Sequence, residues 1–213
     1  MAARDYGQYG GVTRAVELVG ERWALLIIRD LLVGPRRYGE LAGGLHRIPS
    51  NILATRLKEL QAAGVIRRVP HSRVIVYELT DYGRELEPVV LALGAWGFKA
   101  LDAPRDEQVI TPDSMTMDLR TAFRANVAAE LPATSYAARL GDAELLIRVE
   151  GAALDVARGA GEADLSFAAG ADIHRLISGE LDAARAIKTG AVEVLSGRRE
   201  LLERFASTFH LAA

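Results

Sequence analysis

The chain has 213 residues, half of them apolar and a quarter charged, with a formal net charge of −2. That composition suits one large or two small packed domains and excludes a disordered chain. The absence of cysteine excludes a disulfide framework, a thiolate metal site and a thiol redox switch.

The small net charge hides an uneven split. Residues 1–100 carry 14 Lys and Arg against 10 Asp and Glu, whereas residues 101–213 carry 12 against 18. A polyanion, if one is bound, therefore meets the N-terminal half. The start, Met1-Ala2-Ala3-Arg4-Asp5, has no apolar run of the signal-peptide kind. The most apolar stretch, 23–33, is broken by Arg29 and Asp30 and falls short of the ~20 residues that span a bilayer. The expectation is a cytoplasmic protein with no membrane partner.

In chain order, a first helix is expected over 12–19 and a second over 21–32, with Trp23, Leu26, Ile27 and Leu31 on one face. Gly34-Pro35 stops it. A short helix covers 38–42 until Gly43-Gly44 breaks it, and Ser50 is placed as the N-cap of a helix running to Ala63. Two β-rich runs, 65–69 and 74–79, are joined by Pro70-His71-Ser72-Arg73 as a hairpin with a basic tip. Thr80 caps a last helix through Leu101, with Pro88 inside it as a kink.

The order helix, short helix, turn, helix, hairpin is the winged helix-turn-helix plan. In that plan the helix after the turn enters the major groove, so one side must be polar and the other apolar. At 100° per residue Leu53, Leu57 and Leu60 fall within about 60° of one another and define the back. Asn51, Thr55 and Lys58 lie opposite, flanked by Ala54 and Ala62. Asn and Thr can read base edges, and Lys can reach guanine or phosphate. Arg56 lies nearer the leucine side and is expected to pair with an acid inside the domain. The candidate DNA-binding residues are Arg36, Arg37, Ser50, Asn51, Thr55, Lys58, His71, Ser72 and Arg73. The basic ones at 36–37 and on the hairpin contact phosphate without reading sequence. Each of these could equally be a solvated surface charge.

Several motifs carry a resemblance: Ala15-Val16-Glu17-Leu18-Val19-Gly20-Glu21-Arg22-Trp23, Arg37-Tyr38-Gly39-Glu40-Leu41, Leu53-Ala54-Thr55-Arg56-Leu57-Lys58-Glu59-Leu60 and Tyr77-Glu78-Leu79-Thr80-Asp81-Tyr82-Gly83. Over about residues 7–100 the chain resembles the HxlR family of regulators. The resemblance implies a dimeric winged helix whose terminal helices form the dimer interface. Many members have a cysteine just before the first helix, used in some for redox or electrophile sensing. Here that stretch is Gln8-Tyr9-Gly10-Gly11, so no thiol sensor is available. Independently, Leu86, Val89, Val90, Leu93 and Trp96 make a stripe broad enough to serve as a dimer interface, or to be buried on the chain's own second domain.

Prolines and charges from Asp102 to Asp113 read as a linker. Beyond it a helix near 117–130 is followed by strands at 144–149, 152–157 and 163–168. Helices at 172–177 and 182–189, a strand at 191–195 and a closing amphipathic helix at 198–209 complete the chain. The motifs Ala163-Asp164-Leu165-Ser166-Phe167, Leu176-Ile177-Ser178-Gly179-Glu180-Leu181-Asp182 and Lys188-Thr189-Gly190-Ala191-Val192-Glu193-Val194 resemble the small α/β domain of sterol carrier proteins. That resemblance implies a tunnel for an apolar molecule, with Phe123, Leu165, Phe167, Leu176, Phe205 and Phe209 as wall or core residues. The alternative is an interior filled by side chains.

The four histidines, His46, His71, His174 and His210, are isolated from one another, and no phosphate-cradling glycine loop or nucleophile motif occurs. No catalytic residue, metal ligand or cofactor is expected. The reading is an α+β protein: a winged helix-turn-helix for DNA binding and dimerisation over 1–102, a linker over 103–117, and a sterol-carrier-like α/β domain over 118–213. The expected function is transcriptional control, as a repressor, by a homodimer on double-stranded DNA, with an apolar small-molecule effector. The alternative is a lipid or small-molecule carrier whose winged helix makes protein contacts.

Overall fold

The structure, a computed structural model, describes residues 5–102, 104–105 and 107–211. Met1 to Arg4 of the N-terminal reading, and Ala103 and Asp106 of the expected linker, lie outside the described residues. The chain divides into two compact units, Met1–Val90 and Leu91–Ala213.

The first unit contains α1 (Gly11–Val19), α2 (Ala24–Val33), α3 (Tyr38–Gly44), α4 (Ser50–Ala62), the hairpin β1 (Ile66–His71) and β2 (Val74–Leu79), and α5 (Asp81–Arg84). Its core is the buried face of α2, with Ala24, Ile27, Ile28, Leu31 and Leu32, together with Leu41, Leu53, Leu57, Leu60, Ile66 and Leu79. The face assigned to α2 from the sequence is thus rotated: Leu26 is exposed, and Trp23 stands before the helix in the left-handed region at φ 80°. Gly43 and Gly44 are the last turn of α3 and do not break it.

Ser50 is the first residue of α4 and does not cap it. The first helical bond belongs to Pro49, whose carbonyl accepts from the Leu53 N–H at 3.0 Å. The hairpin is tighter than the sequence suggested. Strand pairing runs from Ile66↔Leu79 to His71↔Val74, leaving a two-residue turn with Ser72 at φ 55°. Pro70 can sit inside β1 because β1 is an edge strand, where a missing donor costs no ladder bond. On its other side β2 is bridged by Arg36, whose N–H and carbonyl both bond Tyr77, at 2.9 and 2.7 Å.

The single helix expected from Thr80 to Leu101 is two helices, α5 and α6 (Glu87–Phe98). Thr80 does cap the first, accepting from the Gly83 N–H at 3.0 Å. Gly83 has to be glycine, since a β-carbon there would lie 2.1 Å from the Val65 carbonyl oxygen. Pro88 then falls in the first turn of α6, where it has no bond to donate; a continuous helix would drive its ring against the Arg84 carbonyl. The division between the two units falls within α6.

The second unit holds the rest of α6, α7 (Pro112–Ala122), α8 (Ala125–Ala128), β3 (Thr134–Leu140), β4 (Ala143–Glu150), β5 (Ala153–Arg158), β6 (Leu165–Ala169), α9 (Asp172–Ser178), α10 (Ala183–Thr189), β7 (Val192–Gly197) and α11 (Leu201–Thr208). Helix α7 starts inside the stretch read as linker. Thr111 caps it and Pro112 occupies its first position. The sheet order is β5-β4-β3-β6-β7, antiparallel throughout except for the parallel pair β3–β6. Its central strand, β3, was not foreseen. Alternation along β4 buries Leu145, Ile147 and Val149 and exposes Glu144, Arg148 and Glu150, so one sheet face carries the core.

Candidate nucleic-acid interface

Helix α4 is held by Leu53, Leu57 and Leu60, all buried, and by Arg56, which is only 8% exposed. Arg56 donates to Glu59 one turn on, and its Nη2 lies 3.0 Å from Glu21 Oε2. Its charge is spent inside the unit, as its place on the helix implied. The opposite side presents Ser50, Asn51 and Lys58 to solvent, with Thr55 half-buried. Thr55 Oγ1 donates to the Asn51 carbonyl at 2.9 Å, so its hydroxyl meets an outside partner as an acceptor.

At the N-terminus of α3, Arg37 is exposed and Arg36 is fixed by its bridge to Tyr77, with Nη1 donating to the Pro35 carbonyl at 2.9 Å. His71, Ser72 and Arg73 form the exposed hairpin tip. All nine candidates therefore lie on α4, the hairpin and the two residues before α3, within one unit.

Sequence reasoning missed a cleft of about 360 Å³ among these elements, walled by Tyr38, Ala54, Lys58, Gln61, Arg68 and Tyr77. Tyr38 is held there because its hydroxyl donates to the Ser50 carbonyl at 2.8 Å. Arg68 lies over the Tyr77 ring, with Cζ 5.9 Å from the centroid. The signal was available in the hairpin register, which pairs Arg68 with Tyr77 on one face, but it needed the turn length to be known.

No residue of α6 is buried. Leu86 and Val90 are half-buried, whereas Val89, Leu93 (44%) and Trp96 (75%) are exposed. Helix α1 likewise buries nothing and exposes Val12 and Val16. Further along α6, within the second unit, Phe98 packs against the His174 ring at 5.8 Å, and His174 Nε2 lies 3.1 Å from Asp118 Oδ2.

The six residues assigned to a pocket come together as one core. Leu165, Phe167, Leu176, Phe205 and Phe209 are buried, and Phe123 packs against them. The Phe205 ring stands 5.2 Å from those of Tyr136 and Phe167 and 4.7 Å from Phe209. Among the described residues no group of three or more His, Asp or Glu is placed to hold a metal ion, and no helix is long and apolar enough to cross a membrane.

Comparison with known proteins gives a family for the N-terminal part of the chain. The HxlR-like helix-turn-helix family matches residues 18–105. The Bacillus subtilis HTH-type transcriptional regulator YvaP, itself uncharacterized, is 36% identical over 92 residues, which is 42% of this chain and 85% of YvaP. The chain belongs to the HxlR-like helix-turn-helix family. An uncharacterized HTH-type transcriptional regulator of Mycobacterium tuberculosis is 45% identical over 96 residues, 44% of this chain. This chain spans 60% of that relative's length. Among solved structures, the reduced form of the transcriptional regulator YodB from B. subtilis is 31% identical, covering 46% of this chain and all of that one, with a TM-score of 0.39. The HxlR match takes in α2, α3, α4, the hairpin and α6, and leaves residues 118–213 outside it.

Proposed function

We infer that the protein is a transcription regulator, a repressor, that binds double-stranded DNA as a homodimer through residues 1–102. The observation that carries this is the division of α4. Its leucine face is buried, its one buried cation is neutralised by Glu21 and Glu59, and Asn51 and Lys58 stand in solvent beside a basic hairpin tip. In this reading Asn51 and Thr55 meet base edges in the major groove, while Lys58, Arg73 and the basic residues at 36–37 meet phosphate. The exposed apolar residues of α1 and α6 supply the dimer interface, and the stretch between α6 and α7 links the reading head to the second domain. That second domain is of the sterol-carrier type, and an apolar effector held there would shift operator affinity about tenfold, a coupling of ~1.4 kcal/mol. Its motifs support this part of the reading; the contacting rings around Phe205 require that the core open to admit a ligand.

The test is selection of duplexes from a random pool by the full chain, followed by titration of the winners at 50 and 200 mM salt. The reading expects sequence-selective binding that weakens steeply with salt, as release of counterions from several phosphates requires. No DNA binding, with a lipid co-purifying, would favour the carrier alternative.

A further inference from the structure

Arg67 and Arg68 are adjacent in β1, so their side chains leave opposite faces of the hairpin. Arg67 is bound to Glu78 across the strand pair, Nε to Oε1 at 2.7 Å. Arg68 pairs with Tyr77, turns toward α4, and has no carboxylate partner among the described residues. Across the cleft Lys58 also lacks an ion-pair partner among the described residues, and it stands in a row with Ala54 and Ala62 at spacings of four. Two small residues beside a long cation leave its ammonium accessible. A cleft of about 360 Å³ with two cations and no acid on its walls is a site for an anion. Its volume, roughly that of a dozen waters, is far more than a packing defect leaves.

We propose that this cleft, between α4 and the inner face of the hairpin, seats the sugar-phosphate backbone of one DNA strand, with Lys58 and Arg68 on the phosphate. The proposal rests on the DNA-binding reading above, which already gives Lys58 a phosphate, and adds Arg68, held by Tyr77, as its partner in the cleft. Charge complementarity and continuity with the solvent face of α4 single out this occupant. The backbone that follows the groove read by Asn51 runs past Lys58. Outward from Arg68 the next pair on the same face is Pro70 with exposed Ile75, an apolar lip suited to deoxyribose. Tyr77 is a positioning residue: its backbone is fixed between Arg36 and Arg68, and its ring orients the guanidinium by a cation–π contact.

The experiment titrates a selected duplex and a random duplex with the full-length wild type and with Arg68→Ala, Arg68→Lys, Tyr77→Phe, Tyr77→Leu and Arg67→Ala. Arg68→Ala is expected to weaken both duplexes by a similar factor, about tenfold, and to lower the salt slope by about one. Arg68→Lys and Tyr77→Phe should retain most of the affinity, Tyr77→Leu should fall toward Arg68→Ala, and Arg67→Ala should bind like the wild type. Neutralising phosphates singly as methylphosphonates should reveal one whose loss weakens the wild type but not Arg68→Ala. If the wild type binds DNA and Arg68→Ala matches it in affinity and slope, the cleft assignment is overturned and the DNA reading stands. A changed base preference with an unchanged slope would overturn it too, making Arg68 a base reader. A wild type that binds no DNA overturns both.

Discussion

The Arg56 guanidinium lies against the carboxylates of Glu21 and Glu59, with Nη2 3.0 Å from Glu21 Oε2. This clamp joins α4 to the segment before α2 and takes one of the two cations of α4 out of contention for DNA. Removing Glu21 leaves a buried charge with less compensation, so Glu21→Ala should lower the unfolding free energy by about 1–3 kcal/mol. The double variant Glu21→Ala/Arg56→Met should lose less than the sum of the single changes. Urea unfolding measures both. Operator preference should not move in Arg56→Met; a loss of preference at unchanged stability would show that Arg56 reads DNA.

Burial on β3 pushes the Tyr136 hydroxyl up from 10 to about 12, against smaller opposing effects of Arg204 and Thr134. The neutral form is therefore favoured in the folded state, and this contribution is fully present below pH 10. As pH rises from 10 toward 12 the unfolded chain has lost its proton while the folded chain keeps it, so stability falls. The slope from this group approaches ~1.4 kcal/mol per pH unit. Tyr136→Phe keeps the ring against Phe205 and should be less pH-sensitive than the wild type in that window. Identical alkaline unfolding profiles would contradict the assignment.

Leu93 and Trp96 expose apolar surface from a helix that buries nothing within one chain. A charge at Leu93 would stay solvated in the monomer but be buried in a dimer formed through α6, at a cost of several kcal/mol. Leu93→Asp should therefore keep its fold by circular dichroism and sediment as a monomer. A tight Leu93→Asp dimer would move the interface elsewhere.

In the second unit Phe205 touches Tyr136, Phe167 and Phe209 and is fully buried. In a filled core Phe205→Ala should lower the unfolding free energy by about 3–5 kcal/mol. A change well under that range would mean that the space around the ring is already open, as an effector site requires.

Elements with a strong local signature were legible in the sequence. The leucine spacing of α4 gave its buried face, and Thr80 marked a real helix start. What failed depended on partners far along the chain. The central strand Thr134–Leu140 contains Ala137, Ala138, Arg139 and Leu140, good helix formers. It is extended because β4 and β6 flank it, and no window of sequence displays that. The break before α6 was missed because the apolar stripe continues across it, although Pro88 carried the information. The cleft at Lys58 was hidden for a related reason. Arg68 and Tyr77 stand directly opposite each other only in the register that a two-residue turn imposes, and a looser four-residue connection leaves that register undefined.

The central claim is that the solvent face of α4 reads bases while the hairpin tip binds phosphate. Its most direct test is the ratio of affinities for a selected operator and a random duplex, measured for wild type, Asn51→Ala and Arg73→Ala. The account predicts that Asn51→Ala lowers this ratio roughly 5- to 150-fold, the worth of ~1–3 kcal/mol of base discrimination, with an unchanged salt slope. Arg73→Ala should weaken both duplexes alike, keep the ratio and reduce the slope by about one. Equal loss of the ratio from both substitutions, or none from Asn51→Ala, would contradict it.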